Sequence, residues 1–286
     1  MSVTGAPIIH PTDFSRDSMN AFAHALKISI AARCRLYVAH VADRSDTDEW
    51  HAFPHVRQTL AQWGLLDANA PTDAIAGRLG IEVRKVEIEP QNPVRGVARF
   101  LESHPSGLMV LATQGRDGPP RWLHPSIAEA MSRRVHMQTL FIPPHSRTLV
   151  DRATGELDLN RILIPVDHQP APTAAIQAIQ RFYRALGAKP EIRILHIGKD
   201  APVVATVSSP AHRAPVDVPI EVRSGDVIEG ILQAAQEMSA NLIGMPTAGH
   251  HGLLDALRGS TTERVLRRAS CPVLAVPAAP AQSAHA

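Results

Sequence analysis

The residues best suited to bind a ligand form a glycine-containing segment in the second half of the chain. Gly249 and Gly259 mark this segment, and Ser260 and Thr261 follow the second glycine. The pattern predicts that a helix begins here, and the start of a helix carries free N–H groups and about half a positive charge. Because glycine has no side chain, a phosphate group can approach the backbone closely. One interpretation of the segment is therefore a phosphate site.

A purely structural role accounts for part of the same segment. Ser260 and Glu263 have the spacing of a capping box, in which the two side chains satisfy free N–H groups at the start of a helix. Ser126 and Glu129 have the same spacing in the first half of the chain. A capping serine needs no ligand, so the local sequence leaves both interpretations open.

Two aspartates each follow a short apolar run and precede a helical pattern. Asp13 ends the run that contains Pro11, and Asp167 ends the run that contains Pro165. In a parallel sheet, ligands bind beyond the carboxyl ends of the strands, so both carboxylates are candidates for ligand contact. They are equally good candidates for caps of the helices that follow.

The histidines do not predict a metal centre. His250 and His251 are adjacent, and no second cluster has the spacing of metal ligands, so we interpret them as a loop pair. His51 and His55 have the i, i+4 spacing of one helix face, but Pro54 interrupts any helix between them. We therefore expect a metal-free loop in both places.

Several enzyme and nucleotide signatures are absent from the sequence. No G-x-G-x-x-G follows the first strand of either half, and no G-x-x-x-x-G-K-[ST] phosphate loop occurs. The chain also shows no paired carboxylates and no nucleophile–base arrangement that would support turnover. We therefore predict no catalytic residue and at most weak ATP hydrolysis.

The elements that must position these residues occur twice. The segment 7–13 resembles 161–167, and the segment 108–115 resembles 242–249. Order and spacing agree between the halves, except that the second copy lacks about 20 residues between its first and fourth strands. The missing residues fall at Gly198–Asp217, where proline and serine predict a loop in place of a second helix.

Each copy alternates strands with helices, which indicates an open parallel α/β sheet with helices on both faces, a Rossmann-like sandwich. Helical spacing is found over 19–30, 94–101, 176–186 and 228–238. After the two opening runs, strands are predicted at 35–41, 81–88, 108–112, 139–142, 191–197, 218–223, 242–245 and 273–276. We expect one domain at 1–143, a polar linker at 144–159, a second domain at 160–277 and a disordered tail at 278–286.

The last strand of each copy is apolar and is predicted to lie at the edge of its sheet. An exposed apolar edge invites pairing with another strand. We therefore predict that Thr139–Ile142 pairs with Val273–Val276, so that the two copies form a pseudo-dimer within one chain. Further association between chains is compatible with this arrangement.

Composition restricts the class of protein. The chain has 286 residues, of which 44% are hydrophobic, and its net charge is +2 with the two signs interspersed. The charge pattern is not that of a nucleic-acid-binding protein, and no apolar run is long enough to cross a membrane. With no secretion signal at Met1 to Pro11, we expect a cytoplasmic protein. Cys34 and Cys271 lie in apolar surroundings and are predicted to be buried thiols.

The whole arrangement resembles the universal stress protein family in its tandem form, over about residues 9–143 and 160–277. Nucleotide-binding members carry G-x2-G-x9-G-[ST] after the fourth strand, and the second copy reads Pro246-x2-Gly249-x9-Gly259-Ser260. Asp167 matches the family residue that contacts adenine. The run from Glu263 to Val276 resembles the closing helix and strand of the family.

The resemblance implies a cytoplasmic stress-response regulator that binds ATP, with Mg, or another adenine nucleotide in the second domain. In the second domain, the resemblance implies that Asp167 and Ile197 contact adenine. The implied nucleotide site comprises Pro165, Val166, Asp167, Ile197, Met245, Gly249, Gly259, Ser260 and Thr261. Its degenerate counterpart in the first domain comprises Asp13, Val41, Gly115 and Ser126. The alternative is a stress-response scaffold that binds no nucleotide and acts through contacts with an unknown protein partner.

Departures from the family motif bear on affinity. Pro246 replaces the first glycine and has no N–H; if that amide contacts a phosphate elsewhere in the family, its loss costs about 10- to 150-fold in affinity. In the first copy, Ala112 and Pro125 replace two of the glycines. We therefore expect the first copy not to bind ATP.

Overall fold

The computed structural model describes residues 5–41, 52–71, 73–88, 93–113, 137–144, 146–200, 202, 219–247 and 261–277. Within these residues the strands of both repeats join one ten-stranded sheet with helices on both faces. The α/β fold class predicted from the alternation of strands and helices is confirmed. None of the described helices is long and apolar enough to cross a membrane.

The first repeat provides half of the sheet. Its strands are β1 (Gly5–Thr12), β2 (Cys34–Val41), β3 (Val83–Ile88), β4 (Leu108–Ala112) and β5 (Gln138–Ile142). Its helices are α1 (Arg16–Ala32), α2 (Val56–Gln62), a π-helix (Ile75–Leu79) and α3 (Pro93–Ser103). Helix α1 begins after Ser15, whose side chain accepts the N–H of Ser18, and ends at Arg33 in the left-handed conformation.

The second repeat follows the same order, with fewer elements between its second and third strands among the residues that the structure describes. Its strands are β6 (Arg161–Pro165), β7 (Glu191–Ile197), β8 (Ile220–Arg223), β9 (Leu242–Thr247) and β10 (Val273–Pro277). Its helices are α4 (Thr173–Ala185), α5 (Val227–Glu237) and α6 (Thr261–Leu266). Most of the predicted loop at 198–217 and the whole predicted tail at 278–286 lie outside the described residues.

The two repeats meet through their last strands. The order of the sheet is β3-β2-β1-β4-β5-β10-β9-β6-β7-β8, in which β5 and β10 are antiparallel neighbours and the other pairs are parallel. Leu274 lies opposite Leu140, and Val273 lies opposite Phe141. The predicted pairing of these strands within one chain is confirmed.

Each face of the sheet carries one hydrophobic core that extends across this seam. Leu140 and Leu274 belong to the core on the side of α1 and α4. Phe141 and Val273 belong to the core on the side of α3, α5 and α6. Because side chains alternate between the two faces of a strand, the same short pairing contributes to both cores. Packing, and not only hydrogen bonding, therefore joins the repeats.

The segment between the repeats is more buried than its polar composition suggests. Leu149 and Val150 are fully buried, and Val150 forms an antiparallel bridge with Leu157. The indole N–H of Trp63 donates to the carbonyl of Arg152 at 3.0 Å. The described residues of this segment therefore contact the first repeat through Val150 and Arg152, and the second repeat through Arg147, whose N–H donates to the carbonyl of Ser270 at 2.8 Å. The domain limits themselves stay a prediction.

Both cysteines are buried free thiols, as predicted. Burial raises the pKa of Cys34 to about 11 and that of Cys271 to about 12, because a thiolate is poorly solvated inside the protein. Neither thiol is therefore in the ionised form that reacts at neutral pH.

Candidate functional site

A pocket opens beyond the carboxyl ends of β6, β7 and β9 in the second repeat. Its cavity volume is about 220 Å³. Parallel strands end at the same edge of a sheet, so their final residues and the loops after them converge here. Six residues proposed from the sequence line the pocket, namely Pro165, Val166, Asp167, Ile197, Met245 and Thr261.

The carboxylate of Asp167 is available to a ligand. Its side chain is 70% exposed, and Oδ1 accepts the N–H of His168 at 2.8 Å. Helix α4 begins only at Thr173, so Asp167 does not cap it. Asp13 does not cap α1 either, because the cap is Ser15, whose N–H donates to Asp13 Oδ1. The structure thus excludes the capping interpretation for both aspartates.

The floor of the pocket is apolar. Ile197 and Met245 come from the ends of β7 and β9, and Ile231 comes from α5. Val227, at the start of α5, is 42% exposed at the pocket. The N-terminus of α5 is already occupied, because Asp226 accepts the N–H groups of two residues in the first turn. Flat apolar groups therefore fit the inner part of the pocket, beside the polar strand ends.

A buried threonine in the pocket was not proposed from the sequence. Thr247 is 3% exposed, and its hydroxyl has no hydrogen-bond partner among the described residues. A buried hydroxyl without a partner costs about 1–3 kcal/mol, so its presence calls for an explanation. In the sequence, Thr247 is distinguished only because it follows Pro246, which occupies the first position of the family motif.

A buried histidine supports the end of β6. His196 Nδ1 lies 3.1 Å from the carbonyl oxygen of Val166, which can only accept, so Nδ1 carries the proton. A Cβ at residue 198 would lie 2.5 Å from His196 Nε2, which explains the glycine there. His40 makes the same bond to Thr12 at 2.8 Å in the first repeat. Histidine is the second-last residue of both β2 and β7. This recurrence in the sequence could have identified His196 as a residue of the strand ends.

Three potential metal ligands also converge near the pocket. One atom each of Asp167, His168 and His196 lies within 4.8 Å of the others. Hydrogen bonds to backbone carbonyls already involve both histidines, since His168 Nε2 lies 2.8 Å from the carbonyl oxygen of Asp200. Because His40 makes the equivalent bond in the first repeat, the position of His196 needs no metal to explain it.

The phosphate segment proposed from the sequence is described only at its end. Gly249, Gly259 and Ser260 lie outside the described residues, and Thr261 opens the short helix α6. Thr261 and Thr262 line the pocket. The described end of the proposed phosphate segment, Thr261, therefore forms part of the pocket wall.

The counterpart positions of the first repeat are only partly described. Asp13 follows β1, and Val41 is the last residue of β2, so both stand at the corresponding strand ends. Gly115 and Ser126 lie outside the described residues. The strand ends of the two repeats thus correspond.

Comparison with known proteins identifies one family. The model of the universal stress protein family matches residues 6–143 and 199–277. Universal stress protein A homolog 1 of Coxiella burnetii is 31% identical over 144 residues, which are 47% of this chain and 90% of that protein. A universal stress protein of Methanocaldococcus jannaschii is 39% identical over 141 residues, covering 47% of this chain and 80% of that protein.

A solved structure resembles the chain over nearly its whole length. The crystal structure of a universal stress protein from Archaeoglobus fulgidus has a TM-score of 0.58 and 16% sequence identity. The match covers 97% of this chain and 98% of that one. At this identity the likeness concerns the fold, and it includes both repeats.

Proposed function

The chain belongs to the universal stress protein family in a tandem form, and we propose that this stress-response protein binds ATP, or another adenine nucleotide, in its second repeat. The observation that carries the proposal is the pocket at the ends of β6, β7 and β9. It combines an apolar floor with an exposed carboxylate and a buried hydroxyl that has no partner among the described residues.

Each part of the pocket suits one part of the nucleotide. The adenine ring packs against Ile197 and Met245, and Asp167 accepts a hydrogen bond from an N–H of the base. The ribose and phosphates extend toward Thr261 and the glycine segment before it. Mg would accompany the phosphates as their counter-ion, since phosphate oxygens are its preferred ligands.

Thr247 favours a polar ligand over an empty pocket. Its hydroxyl, which has no partner among the described residues, destabilises the unliganded protein, and a bound ribose hydroxyl or phosphate oxygen removes that cost. A scaffold that uses only its outer surface has no need of a buried unpartnered hydroxyl at the strand ends. The scaffold alternative, acting through an unknown protein partner, therefore accounts for less of what is seen.

The replacement Thr247→Val should raise the stability of the unliganded protein and lower its affinity for ATP. Valine has nearly the same shape but no hydroxyl, so the unliganded protein should gain about 1 kcal/mol of stability. ATP affinity should fall about 3- to 10-fold, because the hydrogen bond to the ligand is lost. Urea unfolding without ligand and calorimetric titration with ATP and Mg measure the two effects.

Thr113→Val is the matched control, since Thr113 stands after β4 as Thr247 ends β9. This change should leave ATP affinity unaltered. Equal ATP affinity in the wild type and in Thr247→Val would count against a ligand contact at Thr247. Absence of any ATP binding by the wild type would favour the scaffold.

The replaced glycines of the first repeat predict one nucleotide per chain. Calorimetry on the full chain should give a stoichiometry of about one ATP. Asp167→Ala should abolish most of the binding, whereas Asp13→Ala should leave both affinity and stoichiometry unchanged. Two equivalent sites in the wild type, or equal losses in the two variants, would refute the assignment to the second repeat.

A further inference from the structure

The loop after β6 differs from its counterpart in the first repeat, and the difference lies at the nucleotide pocket. Helix α1 begins at Arg16, three residues after Asp13, whereas α4 begins at Thr173, six residues after Asp167. The segment 168–172 contains two prolines, and proline disfavours the helical conformation of the residue before it. The positions that form the first turn of α1 therefore correspond to a loop in the second repeat.

Two hydrogen bonds of His168 fix the start of this loop. Its backbone N–H donates to Asp167 Oδ1 at 2.8 Å, and its side-chain Nε2 lies 2.8 Å from the carbonyl oxygen of Asp200, after β7. Its ring also packs edge-on against the buried His196, with 5.6 Å between the ring centres. His168 thus joins the loops after β6 and β7, so the residue that follows it has a defined position at the pocket.

That residue is Gln169, which lines the pocket together with Asp167 and Pro170. Gln169 is exposed, and its side-chain amide makes no hydrogen bond with another of the described residues. A glutamine amide carries two N–H donors and an acceptor oxygen. The amide of Gln169 is therefore available to a ligand in the pocket, beside the exposed carboxylate of Asp167.

A side-chain donor at this place has a use, because several backbone donors of the strand ends are occupied. Three of their N–H groups already donate within the protein, namely those of Val166, His168 and Gly198. The ionised carboxylate of Asp167 can only accept hydrogen bonds. These groups therefore cannot donate to a ring nitrogen of a bound base, whereas the amide of Gln169 can.

Solvation is the alternative explanation for Gln169, since glutamine is mostly exposed in proteins. The corresponding residue of the first repeat, Ser15, caps α1 by accepting the N–H of Ser18. Gln169 has no such role in the fold, because α4 begins four residues later and its cap position is Pro172. Solvation alone also requires neither the place beside Asp167 nor a loop that is fixed by hydrogen bonds.

We propose that Gln169 is a specificity-determining residue of the nucleotide site, whose amide donates a hydrogen bond to a ring nitrogen of adenine. The amino group N6 of adenine lies between the ring nitrogens N1 and N7, and both nitrogens accept hydrogen bonds. Asp167 accepts from N6, and Gln169 donates to the ring nitrogen beside it, a pairing that resembles the recognition of adenine by glutamine in nucleic acids. The inference rests on the proposed nucleotide function.

Calorimetric titration of the full chain tests the proposal with ATP, 1-deaza-ATP and 7-deaza-ATP, each with Mg. Each analogue has a C–H group in place of one ring nitrogen, N1 or N7, and this group cannot accept a hydrogen bond. The wild type should bind one of the two analogues about 3- to 10-fold more weakly than ATP, because the bond from Gln169 is lost. The analogue that shows the loss identifies the nitrogen that Gln169 contacts.

Gln169→Met keeps the length of the side chain and removes its amide. It should weaken ATP binding by about 3- to 10-fold and leave the affinity for the affected analogue unchanged, because the analogue already lacks the bond. Gln58→Met, at an exposed position of α2 in the first repeat, is the matched control and should change neither affinity. Thermal unfolding without ligand should give the same midpoint for both variants and the wild type, since both glutamines are exposed.

Three results would overturn the proposal and leave Gln169 as a solvated loop residue. They are equal ATP affinity in the wild type and Gln169→Met, equal losses for ATP and both analogues in Gln169→Met, and wild-type binding of both analogues as tight as that of ATP. Absence of ATP binding by the wild type would refute the proposed nucleotide function and this inference with it. The wild-type titration with ATP therefore distinguishes the two failures.

Discussion

Acidification from about pH 6.5 to about pH 4 is expected to remove about 3 kcal/mol of folding stability through His24 alone. His24 is fully buried, and burial lowers its pKa from 6.5 to about 4. Its Nδ1 lies 2.8 Å from the carbonyl oxygen of Asn20, and its Nε2 accepts the N–H of Val150 at 3.2 Å. Both ring nitrogens are therefore engaged in the neutral form.

The direction of the effect follows from where the proton binds. In the unfolded chain the imidazole takes up a proton near pH 6.5, whereas in the folded protein it does so only near pH 4. Between these values the unfolded state holds more protons, so the free energy of unfolding falls as the pH falls. His10 is also buried with its pKa lowered to about 4, and it adds a loss of similar size.

Urea unfolding at pH 7, 5.5 and 4.5 measures this dependence. The His24→Gln variant should be less stable than the wild type at pH 7, because the bond from Val150 is lost or weakened, but it should lose less stability on acidification. His55→Gln is the control, since His55 is exposed and its loss should leave the pH dependence unchanged. Identical pH profiles for wild type and His24→Gln would contradict the assignment. Carboxylates with lowered pKa values, such as Asp226, contribute at more acidic pH.

Leu274→Ala at the seam between the repeats is expected to cost about 2–5 kcal/mol of stability. Leu274 is fully buried in β10 and lies directly opposite the equally buried Leu140 of β5. The truncation leaves a cavity in the core that both repeats share, so both should lose stability together.

The three tryptophans make this coupling measurable, because Trp50, Trp63 and Trp122 all belong to the first repeat. Tryptophan fluorescence therefore follows the unfolding of the first repeat, and circular dichroism follows the whole chain. In Leu274→Ala both transitions should shift to lower urea concentration by the same amount. Val222→Ala, at an exposed position of β8, should shift neither by more than about 0.5 kcal/mol. A shift seen by circular dichroism alone would mean that the repeats unfold independently.

The sequence by itself determined the fold class and most of the pocket. Hydrophobic periodicity is a local property, and it predicted the ten strands and the helices α1, α3, α4 and α5 within a few residues, whereas it did not locate α2 or the π-helix. The carboxyl ends of parallel strands must lie at one edge of the sheet, which made Asp167 a ligand candidate without coordinates, and the family resemblance added Ile197 and Met245. The apolar final strands likewise predicted the pairing of β5 with β10.

Only the tertiary structure decided the roles of residues whose partners are distant in the chain. In the polar segment between the repeats, Leu149 and Val150 are buried, and the segment is held by the bonds of Val150 to His24 and of Trp63 to Arg152. No local pattern in the sequence predicts either of these two contacts.

The same holds for the buried polar groups of the pocket. Thr247 has no partner among the described residues, and His196 contacts Val166, which is 30 positions away in the sequence. Asp167 could have been a helix cap until the start of α4 at Thr173 was known. Periodicity encodes which face of an element is buried, whereas the hydrogen-bond partner of a polar group depends on how the elements pack against one another.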